Sequence, residues 1–372
     1  MMKGKKRQAN FEVLRVLAMI MVIILHYQIK GGIAVSLVEN RSFINLLSWM
    51  IQTCCIVAVN VYVLISGYFF VETKWSMKKF LHLAAQVWFY SVMVAFLCLV
   101  LGVGDVKSWS LYDWGTVVFP LQMEHYWFAT AYLIMYLFSP VIKIAIKQLS
   151  KKELQAVIIL LLVVFSVTKS LIPIQIPTDK YGYDYGWFLC LYLIAGYLRM
   201  YGIDWINRIR KGLIIYLFFV IIIFGYSVFL GFLTHKGFPL AYAMDMNHSY
   251  NHIFVLLASV GIFYGFKYLK LEKNTMVKFC CKISPYTFGV YLLHEHLAIR
   301  SLWPLWFGVD SVRGRITFLP HMLLTVVVVF VIGIMIDYVR SCLFQTIEEV
   351  VNKFVCRVKR KKEQNFFLEE RK

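Results

Sequence analysis

The amino-acid sequence predicts an all-α polytopic membrane protein of about ten transmembrane helices with both termini cytoplasmic. Three observations carry this expectation. The 372 residues are 60% hydrophobic and only 16% charged, whereas soluble domains sit nearer half apolar and a quarter charged. Apolar runs recur along almost the whole chain, several long enough to cross a hydrocarbon core of roughly 30 Å at 1.5 Å per residue. Lys and Arg alternate between rich and poor from one connecting segment to the next.

The apolar runs fall at 11–28, 43–70, 79–102, 125–142, 154–173, 184–198, 212–233, 250–268, 283–299 and 316–339. With the N-terminus placed inside, the segments on that side hold 29 Lys and Arg and the opposite segments hold 9, with Arg15 inside the first span. The bias is kept at every loop, which is the positive-inside rule. It accounts for a formal net charge of +19 that would suggest nucleic acid in a soluble chain. Attraction to anionic lipid follows as a side effect.

Residues 1–28 start basic and turn apolar, but the run is too long for a signal peptide and no small-residue cleavage site follows. They read as an uncleaved first helix. The eight Cys lie in spans or on the inner side, so no disulfide framework is expected. No Pro/Gly/Ser linker interrupts the series. One membrane domain is therefore expected over 1–352, followed by a charged cytoplasmic tail over 353–372. Leu111 to Leu121, within the longer connection 103–124, suits a short re-entrant or surface segment. The aromatic stretch from Tyr181 to Trp187 suits an interfacial belt with a loop.

Ionisable groups inside spans are costly, which makes them functional candidates. The first helix carries Glu12, Arg15 and His26. Eleven residues separate Arg15 from His26, an advance of about 1100° and so about 20° from whole turns. Both side chains face one way, ~16 Å apart along the axis, and Glu12 is one turn from Arg15, within reach of an ion pair. The bland alternatives are an interfacial Arg15 paired with Glu12 and a structural His26. Eight of the nine His (all but His82) fall in outer halves of spans or outer loops under this topology. Imidazole titrates near neutral pH and takes protons from hydroxyls, so chemistry is expected to open outward.

His125 begins the fourth span, and His294, Glu295 and His296 close the ninth. The 294/296 spacing does not set two ligands on one helix face and no Cys accompanies them, so no metal is expected. His252 and His321 read as structural. Ser66 and Gly67 permit close helix approach. Without a Gly-x-Ser-x-Gly elbow Ser66 is no nucleophile, and it stands only as a candidate along a cofactor path. Asp337 and Arg340 are spaced as an anchoring pair.

The Arg15/His26 spacing in a first helix resembles the acyltransferase-3 family, most closely its surface-polysaccharide O-acetyltransferases. Further matching stretches are Val59 to Tyr68, His125 to Tyr132 followed by Ser139-Pro140, and Ile283 to His294. They come in the expected order and cover most of the chain. The resemblance implies a ten-helix cell-membrane enzyme that takes an acyl group, usually acetyl, from cytoplasmic acetyl-CoA (acyl-CoA) and passes it to a glycan hydroxyl on the other face. It implies that Arg15 and His26 are the essential pair. Some members carry an added extracytoplasmic esterase-like domain. About thirty residues follow the last span here, so a surface or lipid-linked polysaccharide acceptor is expected, served by this chain alone.

In that setting Arg15, Lys74, Lys78 and Lys79 are candidates for the CoA phosphates. Glu12 would orient Arg15. His26 would act as general base or transient acyl acceptor. Glu124, His125, Trp127 and His294 are candidates to orient His26 or bind sugar. A transporter or flippase for a glycan or lipid-linked intermediate is the main alternative, and a glycan polymerase a weaker one. The reading requires Arg15 and His26 to line one continuous tunnel between a cytoplasmic basic mouth and an outer cleft. His26→Ala is expected to abolish glycan acetylation at unchanged protein level, and Arg15→Ala to weaken the use of acyl-CoA. Acetyl content and acetyl-CoA dependence in complemented strains measure both.

Overall fold

The computed structural model describes residues 8–172, 176, 179–272 and 274–369, with side chains described through Lys353. Among these residues the α-helices are joined by short 3-10 turns and loops, and no strand occurs. The helices used below are α1 (Ala9–Lys30), α2 (Phe43–Cys55), α3 (Ala58–Phe70), α4 (Met77–Leu101), α5 (Leu111–Val118), α6 (Trp127–Gln148) and α7 (Lys151–Leu171). They continue with α8 (Tyr185–Met200), α9 (Ile209–His235), α10 (Ala241–Met246), α11 (Ile253–Lys267), α12 (Thr275–Ile283), α13 (Thr287–His294) and α14 (Phe318–Glu369).

Seven helical stretches among the described residues are long and apolar enough to cross a membrane: α1, α2–α3 as one bent rod, α4, α6, α7, α9 and α14 as far as Lys353. The other three expected spans are helical but short. α8 has 16 residues and α11 has 15, or ~24 Å and ~22 Å of helix. The expected helix over 283–299 is instead broken. A 3-10 turn at Ser284–Tyr286 joins α12 to α13, and α13 stops at His294. Turns follow, and they send the three side chains of His294, Glu295 and His296 to different neighbours. The expected surface segment is α5, capped by Ser110, whose backbone N–H and hydroxyl both bond Asp113 and hold its carboxyl below the usual range. α14 runs unbroken across residue 353 to Glu369.

The outward faces are apolar, as lipid requires. Phe96, Leu97 and Val100 of α4, Ile214, Leu217 and Ile221 of α9, and Leu323, Val327 and Val331 of α14 are all exposed. Inside, glycines let backbones meet. A Cβ on Gly212 of α9 would lie 2.3 Å from the backbone N of Gly265 on α11, and one on Gly67 of α3 would lie 2.9 Å from Ala195 of α8. α1 is the centre of the bundle and touches α2, α3, α11, α12, α13 and α14.

Several polar groups inside the bundle are paired between helices, where a bilayer offers no water to replace a missing partner. Asn10 of α1 donates to the last carbonyls of α11, those of Phe266 and Lys267, at 2.9 and 3.2 Å. Asp337 on α14 is fully buried. It accepts from Gln86 and Tyr90 of α4, each at 3.0 Å, and is clasped bidentately by Arg340 at 2.9 Å. Gly289 of α13 lies against this carboxylate, where a Cβ would be 2.3 Å from its Cγ. The anchoring pair expected from sequence is thus a four-residue knot between α4 and α14. Asp337→Ala is expected to cost about 3–5 kcal/mol, because Arg340 is left buried without a counter-charge. The double replacement Asp337→Leu/Arg340→Met is expected to recover most of that loss, and thermal unfolding in detergent compares them.

Candidate active site

One face of α1 builds the site. Arg15, Met19, Val22 and His26 recur at helical spacing, and all four line an internal cavity of about 270 Å³. Across from them stand Val59, Tyr62 and Ser66 of α3, again one helical stripe. Trp127, Phe128 and Tyr132 of α6, and Thr287, Phe288 and Tyr291 of α13, complete most of the wall. The face predicted from the eleven-residue spacing is therefore a cavity wall, with Arg15 near one end and His26 near the other.

At the first end, Arg15 Nη1 meets Glu12 Oε1 at 3.1 Å, and the other Glu12 oxygen accepts from the Ser284 hydroxyl. Glu12 is buried while the Arg15 side chain keeps 28% exposure. The carboxylate therefore holds the base of the guanidinium and leaves further N–H groups facing the cavity. Tyr62 Oη donates to the Arg15 carbonyl at 2.8 Å, and Tyr132 Oη donates to Ser66 Oγ at 3.1 Å. A planar cation with unused donors suits phosphate or a carbonyl oxygen.

At the other end, His26 Nδ1 lies 2.9 Å from His294 Nε2, and His294 Nδ1 lies 2.6 Å from the Val290 carbonyl. A carbonyl only accepts, so His294 Nδ1 carries the proton and Nε2 of the neutral ring is bare. The proton between the two rings then belongs to His26 Nδ1, which leaves His26 Nε2 as a free lone pair. Glu295 Oε1 stands 3.2 Å from the same Nδ1 and is also bonded by Lys30, one turn along α1. This is a base whose tautomer is set by one neighbour and whose charged form is met by another. His26, His294 and Glu295 also have metal-ligand spacing, with donor atoms within 4.8 Å of one another. Lys30 already supplies the positive charge on that carboxylate.

The other sequence candidates are dispersed. Trp127 lines the cavity. His125 does not: its Nδ1 bonds Ser91 Oγ at 2.8 Å, whose hydroxyl donates to Val117 O, and its Nε2 accepts from the Leu297 N–H at 3.0 Å. The two ring nitrogens thus tie Ser91 of α4 to the turn after α13. His296 is spent the same way on Ser91 O and the Ala298 N–H. Glu124 is exposed, has a left-handed φ of 51°, and lines a separate groove between α4 and α6. Lys74, Lys78 and Lys79 are exposed outside the cavity. Lys78 pairs with Glu348, and Lys79 is one turn before the cavity residue Leu83. His321 joins Tyr27 Oη to the Phe307 carbonyl and His252 caps α11, so both are structural as expected. Lys30 and Ser284 were not among the sequence candidates, and Glu295 was singled out only within the 294–296 cluster. Only the i, i+4 relation of Lys30 to His26 was visible beforehand.

Helices of bilayer length around a cavity make a membrane protein with an internal chamber whose mostly apolar wall carries Arg15 and His26. The family comparison says which kind: the acyltransferase-domain profile of the acyltransferase-3 family matches residues 8–338, and the chain belongs to that family. It is a membrane acyltransferase. Comparison with curated proteins and with solved structures gives no match.

His294→Ala removes the acceptor that fixes the His26 tautomer, and kcat for acyl transfer is expected to fall by at least about 10²-fold. His125→Ala and His296→Ala are expected to cost chiefly stability, about 1–3 kcal/mol each, by orphaning buried backbone groups. Turnover and thermal unfolding measured on all three separate the two effects. Wild-type kcat in His294→Ala would remove that residue from the site.

Proposed function

We propose that this chain moves an acyl group, acetyl foremost, from cytoplasmic acyl-CoA to a hydroxyl of a surface or lipid-linked polysaccharide on the opposite membrane face. The observation that carries the reading is the single cavity walled by both Arg15 and His26. Its two ends differ as the two substrates do. The Arg15 end offers a guanidinium to an anionic donor, with Glu12 as its orienting group and Ser66 beside the path. The His26 end offers a base to a hydroxyl acceptor.

In this reading ten helical segments cross a cell membrane, α8, α11 and the α12–α13 pair completing the seven long ones, with both termini cytoplasmic. The asymmetry of 29 against 9 basic residues supports that orientation. Lys79 and, beyond it, Lys74 stand as cations near the donor entrance, and Trp127 faces the acceptor. The domain is taken as 1–352, followed by a charged cytoplasmic tail over 353–372.

The chemistry follows from the proton inventory. His26 Nε2 takes the proton of the acceptor hydroxyl as its oxygen attacks the thioester carbonyl. The imidazolium so formed keeps its Nδ1–H on His294 and faces the Glu295 carboxylate. Collapse of the tetrahedral intermediate breaks the C–S bond, and the CoA thiolate recovers the proton from His26 Nε2. No net proton is left in the cavity. The bare Nε2 would serve a general base and a transient acyl acceptor alike, and the direct route is adopted as the one with fewer steps. Family membership favours transfer over the transporter or flippase alternative.

Inverted membrane vesicles supplied on their outside with acetyl-CoA labelled in the acetyl group test this. Alkali-labile label is expected in saccharide recovered from the vesicle lumen, with one acetyl mass added per modified residue. Label remaining in CoA and free acetate alone would reject the acceptor assignment.

A further inference from the structure

Above His26 the cavity wall is aromatic and extends past its own lining. Trp127 and Tyr250 both line the cavity and stack nearly parallel, with centroids 5.8 Å apart and planes at 21°. Tyr183, from the connection between α7 and α8, rests on both, at 4.5 Å from the Trp127 ring and 4.8 Å from that of Tyr250. It keeps 43% exposure, so part of its ring is left open. The three rings form a stepped surface that leads outward from the catalytic histidine.

The backbone carrying Tyr183 is held in an unusual shape. Tyr181 and Gly182 are consecutive left-handed residues, φ 58° and 79°, the first an uncommon state for a side chain other than Gly, Asn or Asp. Beneath them lies a buried polar knot. Lys169 of α7, 4% exposed, pairs with Asp179 Oδ2 at 2.6 Å and also bonds Asn251 Oδ1. Asp179 Oδ1 accepts from the Tyr181 N–H at 2.9 Å and from Asn251 Nδ2 at 2.8 Å. The Tyr250 N–H donates to the Tyr181 carbonyl at 3.2 Å, which ties the loop to the next aromatic residue. A charge inside a bundle is expensive and usually functional. Among the described residues its partners are Asp179, Asn251 and the Tyr181 ring, 4.9 Å from its ammonium, and they brace the loop that presents Tyr183.

Resting on the function proposed above, we infer that Tyr183 is a specificity-determining residue for the acceptor: its open ring stacks on the apolar face of a pyranose unit, and Lys169, Asp179 and Asn251 are positioning residues that hold it there. An aromatic face receives a sugar's C–H groups without fixing which hydroxyls it bears. Tyr183 therefore sets how the acceptor chain lies, and the hydroxyl that reaches His26 follows from that placement.

The test uses the full-length protein in lipid nanodiscs, with acetyl-CoA as donor and alkali-de-esterified surface polysaccharide as acceptor. Tyr183→Ala is expected to raise the acceptor KM roughly tenfold, with the acetyl-CoA KM and the kcat at saturating acceptor within about twofold of wild type. Tyr183→Phe, which keeps the ring, is expected to restore the acceptor KM. Asp179→Asn is expected to move the acceptor KM in the same direction as Tyr183→Ala. An unaltered acceptor KM in Tyr183→Ala, or an equal rise in both KM values, overturns the inference alone. Absence of transfer by the wild-type protein overturns the acceptor reading and this inference with it. Should Asp179→Asn fail to fold, Tyr183→Ala and Tyr183→Phe decide.

Discussion

The fold depends on one constraint: a polar group placed where neither water nor lipid can satisfy it must find its partner on another helix. α1 feels this most, carrying Asn10, Glu12, Arg15, His26, Gln28 and Lys30 along one rod. Asn10 caps α11, Glu12 receives Ser284, Gln28 accepts from Ser48 of α2, and His26 and Lys30 reach the turn after α13. Each bond draws a different part of the chain to α1. The helix that lines the cavity is thus also the one around which the bundle is assembled, and the short segments α11 and α13 are held against it as a result.

Part of this was legible in the sequence, and the reasons are geometric. The period of a helix is fixed, so a spacing of eleven placed Arg15 and His26 on one face, and Met19 and Val22 fell on that face with them. The i, i+3 relation of Glu12 to Arg15 and of Asp337 to Arg340 was equally local. Hydropathy located the long spans because their outward faces meet lipid. The remaining segments are shielded by neighbours, so composition alone marks where they end poorly. The helix expected across 283–299 stops at His294 because the next three residues are claimed by different partners.

What the sequence withheld is contact over long separations. His294 lies 268 positions from His26, and Glu295 lies 265 from Lys30. No periodicity within one helix reports such a meeting. The histidines show the same limit differently. Their clustering toward one side was visible, but not that His125 spends its nitrogens on a serine hydroxyl and a backbone N–H, and His296 on two backbone groups, while His26 keeps one free. Residue type marked what chemistry was possible, and the distribution of hydrogen-bond partners decides which ring has a lone pair to use.

The rigid distance between Arg15 and His26 has a further consequence. An α-helix does not stretch, so about 16 Å of axial rise is built into the site as a ruler. On the proposed reading it measures from the anionic head of the donor to its reacting carbonyl. That length belongs to the carrier and is the same whatever acyl group is attached. A ruler of this kind recognises the carrier and is blind to the cargo. Any preference for acetyl over a longer chain must then be imposed past the carbonyl, by the aromatic walls that stand beyond His26.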